Sequence, residues 1–260
     1  MNKIISLVTA FKKFKGVYDR IQTAAMYSWK VNDLQVIAPV NEVDTKTVCQ
    51  EYSYTTLIEG VKRGRELGYA TQSPILKDLI KKALPMTKTS MVAFLNSDII
   101  LLEDFSKKIE RIFDKYGYDI FITGTRYDIQ LNYRVNDAKS YEKVQHEPRT
   151  MFDTVTSSDI FITSKFLWRK IIAEMPEFIL GRYCWDNWLH LYVHINKLKK
   201  FNCTQALPVL HPIHGNEHIY QQEKAHGKDA PSSQHNLRLW TPFMEKYGTA
   251  SIKNWPAVEI

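Results

Sequence analysis

The sequence predicts an α/β fold in which a mostly parallel central sheet is flanked by helices. Three observations predict it. Short apolar runs recur at Ile4–Ala10, Leu34–Pro39, Val92–Leu95, Asp119–Gly124 and Asp159–Thr163, each too short for a helix and bounded by polar residues. Stretches with helical spacing lie between them, the alternation of a doubly wound parallel sheet. At 260 residues, with 44% hydrophobic and 24% charged side chains, one large domain with a sizeable core is within reach.

In chain order, Ile4–Ala10 is β-rich and reads as a central strand, and Val17–Trp29 as a helix. Leu34–Pro39 is a second strand, closed by its proline. Leu57–Leu67 has helical spacing with Gly68 as its C-cap, and Pro74 opens a helix over Ile75–Leu84 that Pro85 ends. Val92–Leu95 is the next strand. Glu103–Tyr116 follows as a helix with acidic residues at its start, then the strand Asp119–Gly124. Arg134–Thr150 is polar and charged without periodicity, so a solvent-facing loop or insertion is expected. Asp159–Thr163 is a short strand, and Lys165–Met175 and Trp188–Ile195 are helices. Ala206–Leu210 leads into a histidine-rich turn. Tyr220–Gln234, with Gly227 and Pro231, reads as flexible, and Leu237–Tyr247 as the last helix. No internal repeat, low-complexity tract or domain linker breaks this order.

The formal net charge of +7 favours an anionic partner: nucleic acid, an acidic membrane surface or a nucleotide phosphate. The competing reading is a basic surface with no acidic partner. Cys49, Cys184 and Cys203 form a sparse, odd set without Cys-x-x-Cys spacing, which argues against a structural zinc site and fits a reducing compartment. The apolar start Met1–Val8 gives way to Lys12-Lys13 and lacks the pattern of a signal peptide. No apolar run approaches the ~20 residues of a membrane helix. A cytoplasmic protein without a membrane span or an obligate protein partner is therefore expected.

Four constellations carry candidate chemistry. Asn96-Ser97-Asp98 closes a buried strand and is followed at once by apolar Ile99-Ile100-Leu101. A carboxylate there is costly unless something binds it, and the carboxyl edge of an open α/β sheet is where ligands sit. Asp98 offers a hard oxygen to a divalent cation, and Asn96 an amide for a metal or a sugar hydroxyl; an Asx-turn explains the same triplet. In Trp185-Asp186-Asn187-Trp188, tryptophan faces suit sugar rings and Asp186 suits proton transfer. Two core tryptophans with Asp186 capping a helix is the alternative. His211-Pro212-Ile213-His214-Gly215-Asn216-Glu217-His218 puts three imidazoles in a turn, either completing a metal shell or forming a solvated loop. Thr123-Gly124-Thr125-Arg126-Tyr127-Asp128 sets Arg126 at a strand end, for a phosphate or an acceptor, or for a structural ion pair with Asp128. Asp159, after Ser157-Ser158, either holds a donor-sugar hydroxyl or caps a turn.

Taken in order, these elements resemble the GT-A nucleotide-sugar glycosyltransferases, over most of residues 4–218. The resemblance implies a single GT-A (Rossmann-like) catalytic domain over 1–260, with a nucleotide-sugar-binding half at 1–125 and an acceptor-binding half with the C-terminal helix at 126–260. It implies a nucleotide-sugar donor and a divalent cation (Mn or Mg) as cofactors. Asp98 matches the last carboxylate of the family's Asp-x-Asp motif, with Asn96 standing where the first would be. Asp98, His211 and His214 are then the metal ligands, and Asp98 and Asp186 the catalytic carboxylates. Thr9, Ala10, Phe11, Asn96, Ser97 and Asp159 would face the donor, and Arg126, Trp185, Asn187 and Trp188 the acceptor. In such a site, a metal and basic side chains stabilise the departing diphosphate.

In size the chain is also similar to bacteriophage-type glycosyltransferases that modify DNA. Together with the charge, this makes a hydroxymethylated DNA base the expected acceptor, reached by base flipping or through the major groove. Arg134–Arg149 and Gln221–Lys228 are the candidate phosphate-contacting loops, or simply solvated ones. A glycan, lipid or protein acceptor is the alternative. A nucleotidyltransferase would want a Gly-rich loop near the first strand, where only Gly16 stands. A non-catalytic nucleic-acid binder would leave Asn96-Ser97-Asp98 and Trp185-Asp186-Asn187-Trp188 unexplained.

Overall fold

Alternation along each strand sets the architecture, because successive side chains of a strand point to opposite faces. Leu7, Val36, Ala93, Ile122 and Ile162 enter one apolar cluster, with side chains of α1 (Val17–Val31), α3 (Phe105–Tyr116) and α4 (Ala138–Gln145). Val8, Ile37, Phe94, Phe121 and Phe161 enter the other, with α2 (Leu76–Ala83), α5 (Lys165–Glu174), α6 (Trp185–Ile195) and α7 (Pro231–Tyr247). A sheet thus lies between two helical layers. The computed structural model describes residues 5–40, 46, 47, 49, 54–152, 157–215 and 227–260.

The central sheet has seven strands. In chain order they are β1 (Ile5–Val8), β2 (Gln35–Pro39), β3 (Thr55–Ile58), β4 (Met91–Leu95), β6 (Ile120–Gly124), β9 (Ile160–Ser164) and β10 (Lys199–Asn202); across the sheet they run β10-β6-β9-β4-β1-β2-β3. All pairings are parallel except those of β9, which runs antiparallel to both β4 and β6. The predicted mostly parallel α/β sheet is therefore present, with one reversed strand. Reversal matters for position: the first residue of β9, Ile160, pairs with Leu95 and Gly124, the last residues of β4 and β6. Residues just before β9 and just after β4 consequently share one rim.

A second, four-stranded sheet, β5 (Ile100–Leu101), β11 (Val209–Pro212), β7 (Tyr127–Ile129) and β8 (Arg149–Met151) in spatial order, flanks that rim. Helix α1 fixes the chain leading into it. Trp29 Nε1 donates to the Ile99 carbonyl at 3.0 Å, and Ser28 Oγ accepts from the Leu101 amide at 3.0 Å.

Several sequence expectations change. Leu57–Leu67 is not a helix: Leu57 lies in β3, paired in parallel with β2, and only Gly64–Leu67 forms a 3-10 turn. The β-branched Thr55-Thr56 favours the strand, and Gly60 at φ +65 turns the chain out of it. Arg134–Thr150 is not an unstructured loop. It contains α4, whose N-cap Asp137 accepts from the Ser140 amide, and β8. The last helix starts at Pro231, where proline suits the first turn, so Pro231–Gln234 is helical; 220–226 of the expected flexible segment lies outside the described residues. Among the described residues no helix is long and apolar enough to cross a membrane.

Candidate metal and substrate site

Segments distant in sequence meet at the rim. After β4 the chain turns at once through a backbone bond, the Ile99 amide donating to the Asn96 carbonyl at 3.2 Å, while the Asn96 side chain reaches out to Asp159 instead of closing an Asx-turn. The turn carries Asp98 inward, where the residue is 3% exposed. Asp98 Oδ2 accepts from Lys12 Nζ at 2.8 Å and lies 3.1 Å from His214 Nε2 and 4.0 Å from His211 Nε2. Its other oxygen, Oδ1, is buried and has no hydrogen-bond partner among the described residues. Burial alone would raise the Asp98 pKa; the Lys12 ammonium, with His214 and His211, overrides that and holds it well below the usual carboxylate range.

Both histidines present the same atom. The register of β11 on β7 pairs His211 with Asp128, and His211 Nδ1 sits 3.0 Å from Asp128 Oδ1. His214 Nδ1 sits 2.9 Å from the Gly215 carbonyl. Since Asp128 is an acceptor, the His211 proton belongs on Nδ1, leaving its Nε2 with a lone pair; His214 has an acceptor at each nitrogen, the Gly215 carbonyl at Nδ1 and Asp98 Oδ2 at Nε2. Burial pushes the His211 pKa down to about 4, so this imidazole is neutral at pH 7. One ligand atom from each of Asp98, His211 and His214 falls within 4.8 Å of the others. In the absence of a cation His214 Nε2 can donate to Asp98 Oδ2; with its proton on Nδ1, towards the Gly215 carbonyl, the same Nε2 would be free to ligate a cation. An outer carboxylate or carbonyl that orients a ligating imidazole is the usual support of a metal site. The donor set, one carboxylate oxygen and two imidazole nitrogens, is of the kind that holds a divalent metal ion.

Asp159 stands beside this cluster. Its Oδ1 accepts from Arg126 Nη1 at 3.1 Å and from Asn96 Nδ2 at 3.4 Å, while Oδ2 is buried without a hydrogen-bond partner among the described residues. Burial raises its pKa despite Arg126. Arg126 also donates through Nε to Asp128 Oδ1 at 2.8 Å and lies over the Phe152 ring at 4.2 Å. The ion pair expected as the alternative role of Arg126 is thus formed, and it links Asp159 to the histidine support. Ser97 is buried.

Asp186 caps the row. It sits in the first turn of α6, partly accessible, and accepts from the Asn187 amide at 2.9 Å and from the Ser158 backbone. Burial, reinforced by the charge of Asp159, pushes its pKa up to about 7. Asn187 is also partly accessible.

The two tryptophans are a correction. Trp185 and Trp188 are 6% and 2% exposed. Trp185 packs on Phe94 and Phe161, and Trp188 on Phe178 and Tyr192. They are core anchors because the apolar face of α6 must cover the sheet, and neither offers a free face to a sugar. The end of β1 is similar. Thr9 is fully buried, donating to the Leu95 carbonyl at 2.8 Å, and Phe11 packs on Phe14 and Trp29; Ala10 alone of the three is partly exposed.

Three contributors had no assigned role in the sequence reading. Asp128 was legible only as a possible ion-pair partner. Lys12 and Tyr18 gave no signal, since a lysine after a strand and a tyrosine in a helix are ordinary. Tyr18 donates to the Gly215 carbonyl at 2.9 Å, meets His214 edge-on at 5.2 Å and lies under Lys12 Nζ at 4.8 Å. His218 and most of Gln221–Lys228 lie outside the described residues.

No protein-family model and no curated protein sequence matches the chain. Among solved structures, it is similar to Staphylococcus aureus TarS 1–349 in complex with UDP-GlcNAc, with a TM-score of 0.58, 13% identity, and coverage of 94% of this chain and 67% of that one. The UDP complex of the same fragment gives 0.52, 12%, 94% and 71%. The fragment alone gives 0.53, 13%, 93% and 70%. Likeness at this identity establishes the fold alone: the chain shares the α/β architecture of that TarS fragment.

Proposed function

We propose that the protein is a glycosyltransferase that moves a sugar from a nucleotide-sugar donor to a hydroxyl acceptor. The observation that carries this reading is the inward-facing set of Asp98, His211 and His214 at the carboxyl rim of the sheet, with each imidazole oriented by an outer acceptor. The likeness to a fold that holds UDP-GlcNAc in TarS supports the donor class.

Asp98, His211 and His214 would hold a divalent cation; Asp98 Oδ1, buried without a hydrogen-bond partner among the described residues, fits that role. When bound, such a cation neutralises charge on a departing diphosphate. The remaining residues act directly. Arg126 orients Asp159 through Oδ1, which leaves Oδ2 to accept a hydrogen bond from a sugar hydroxyl, and Asn96 offers an amide beside it. Asp186, titrating near neutrality, is matched to take the acceptor hydroxyl proton. The acceptor oxygen then bonds to the anomeric carbon, the bond from that carbon to the diphosphate oxygen breaks, and nucleoside diphosphate leaves.

For the acceptor, the finer reading is a hydroxymethylated base in DNA. Its support is the net charge of +7 and the exposure of Lys139, Lys143 and Arg149 in the small-sheet segment. Incubation with UDP-GlcNAc, Mn2+ and hydroxymethylated DNA, read by release of UDP and by nucleoside mass spectrometry, tests both levels. Asp98→Ala and Asp186→Asn should each abolish release while the fold persists. Undiminished release in both variants would defeat the reading. Release without a DNA adduct would move the acceptor to a glycan, lipid or protein.

A further inference from the structure

The cation that faces Asp98 in this structure is an ammonium group of the chain itself. Lys12 Nζ contacts Asp98 Oδ2 at 2.8 Å, on the same oxygen that lies 3.1 Å from His214 Nε2 and 4.0 Å from His211 Nε2. A divalent ion bound by these three residues would have to share that oxygen with Lys12, or take it over. Two like charges cannot both sit within contact distance of one buried carboxylate without a large mutual penalty.

The way Lys12 is held makes a change of partner possible for its side chain alone. Its backbone is clamped on both sides by one buried residue: the Lys12 amide donates to Gln22 Oε1 at 2.6 Å, and Gln22 Nε2 donates back to the Lys12 carbonyl at 3.0 Å. The Lys12 side chain is 26% exposed, against 4% for Asp98. It runs over the Tyr18 ring, 4.8 Å from the centroid, a surface along which an ammonium can move without being stripped of favourable contacts. Tyr18 is itself tied to the histidine turn through the Gly215 carbonyl.

We infer that Lys12 is an electrostatic latch: it occupies Asp98 until a cation and a diphosphate arrive together, and then transfers its ammonium to the diphosphate. This rests on the transferase reading for the identity of the diphosphate. A metal alone must expel Lys12 and leave an unpaired ammonium beside a new positive centre, so it binds weakly. A diphosphate supplies the negative charge that both the metal and the released ammonium need. Metal and donor thus bind as a coupled pair, each raising the affinity of the other by the same factor.

The test uses the full chain at pH 7.5 with two readouts, neither of them turnover. Mn2+ alone is titrated by the electron paramagnetic resonance of the free ion, and UDP, as a diphosphate probe, is titrated calorimetrically in saturating Mn2+. Lys12→Met should bind Mn2+ alone at least about tenfold more tightly, and UDP with Mn2+ at least about tenfold more weakly. Lys12→Arg, which restores the charge, should return both values towards those of the parent. This crossing of signs is what a merely structural lysine would not produce. Unchanged or weaker Mn2+ binding in Lys12→Met overturns the latch, as does unchanged UDP affinity or absence of Mn2+ binding in all three proteins. Turnover of UDP-GlcNAc with uncrossed affinities keeps the transferase and discards the latch; crossed affinities without turnover do the reverse.

Discussion

Replacing Asp186 by asparagine should make the protein more stable while disabling it, and the size of the gain follows from the carboxylate's surroundings. Burial and the charge of Asp159 raise the Asp186 pKa from 3.8 to about 7. A carboxylate raised in the folded state favours folding only while it keeps its proton. That contribution is fully present below the unfolded value, near 4, and is lost as pH rises through about 7. Above that, ionised Asp186 is a net cost. About three units correspond to about 4 kcal/mol at most. Partial exposure of Asp186 lets solvent screen the charge and brings the expected gain to about 1–2 kcal/mol. Asparagine is isosteric and its Oδ1 can still accept from the Asn187 amide, so the local geometry survives. In a chain of this size the gain appears as about 3–6 °C in melting temperature. Differential scanning calorimetry of both proteins at pH 8, 6 and 4 measures it. The advantage of Asp186→Asn should be full at pH 8, shrink at pH 6 and vanish near pH 4. Sugar transfer should fall by about a hundredfold or more. A variant less stable than the parent at pH 8, or equally favoured at all three pH values, would refute the reasoning.

Three further outcomes are expected. Asp128→Asn removes the carboxylate that holds the His211 proton on Nδ1 and should weaken Mn2+ binding about 10–100-fold in an equilibrium titration, with little change in melting temperature; unchanged affinity would separate Asp128 from the site. Trp185→Ala empties a pocket between Phe94 and Phe161 and should cost about 3–5 kcal/mol in urea unfolding; full stability with lost acceptor binding would instead restore the tryptophan to a sugar-facing role. Arg126→Leu strips the buried Asp159 of its cation and should destabilise by about 3–5 kcal/mol at pH 8. The loss should diminish at low pH, where a protonated Asp159 no longer needs a partner; a pH-independent loss would assign Arg126 a packing role.

The fold was legible where strands were buried on both faces, because runs such as Val92–Leu95 and Asp119–Gly124 carry no helical period and have abrupt polar ends. It was illegible where one residue's periodicity pointed the wrong way. The segment Leu57–Leu67 has helical spacing, but β2 offers Thr55–Ile58 an edge to pair with, and that pairing outweighs local preference. The small sheet was missed because β5, β7 and β8 are only two or three residues long, too short to show alternation. At the site, Asp98, His211, His214 and Asp159 could be named because acidic and imidazole groups at strand ends are chemically conspicuous. The tryptophans of Trp185-Asp186-Asn187-Trp188 misled for the opposite reason: an aromatic side chain looks the same in a sequence whether it faces a ligand or a core. Lys12 could not be read at all, since its importance arises from a contact 86 residues away in the chain.

The two sheets meet at the ligand cluster. Asp98 comes off the larger sheet, while His211 belongs to the smaller one and His214 follows it. An ion gripped by all three would therefore act as a rivet across the seam between two layers, tying residues 116 positions apart. Loading the site then does more than prepare chemistry. It would add a clasp beyond β11, whose pairing with β5 already joins the two parts of the chain, so that protection of the chain around His214 from proteases would become a gauge of occupancy.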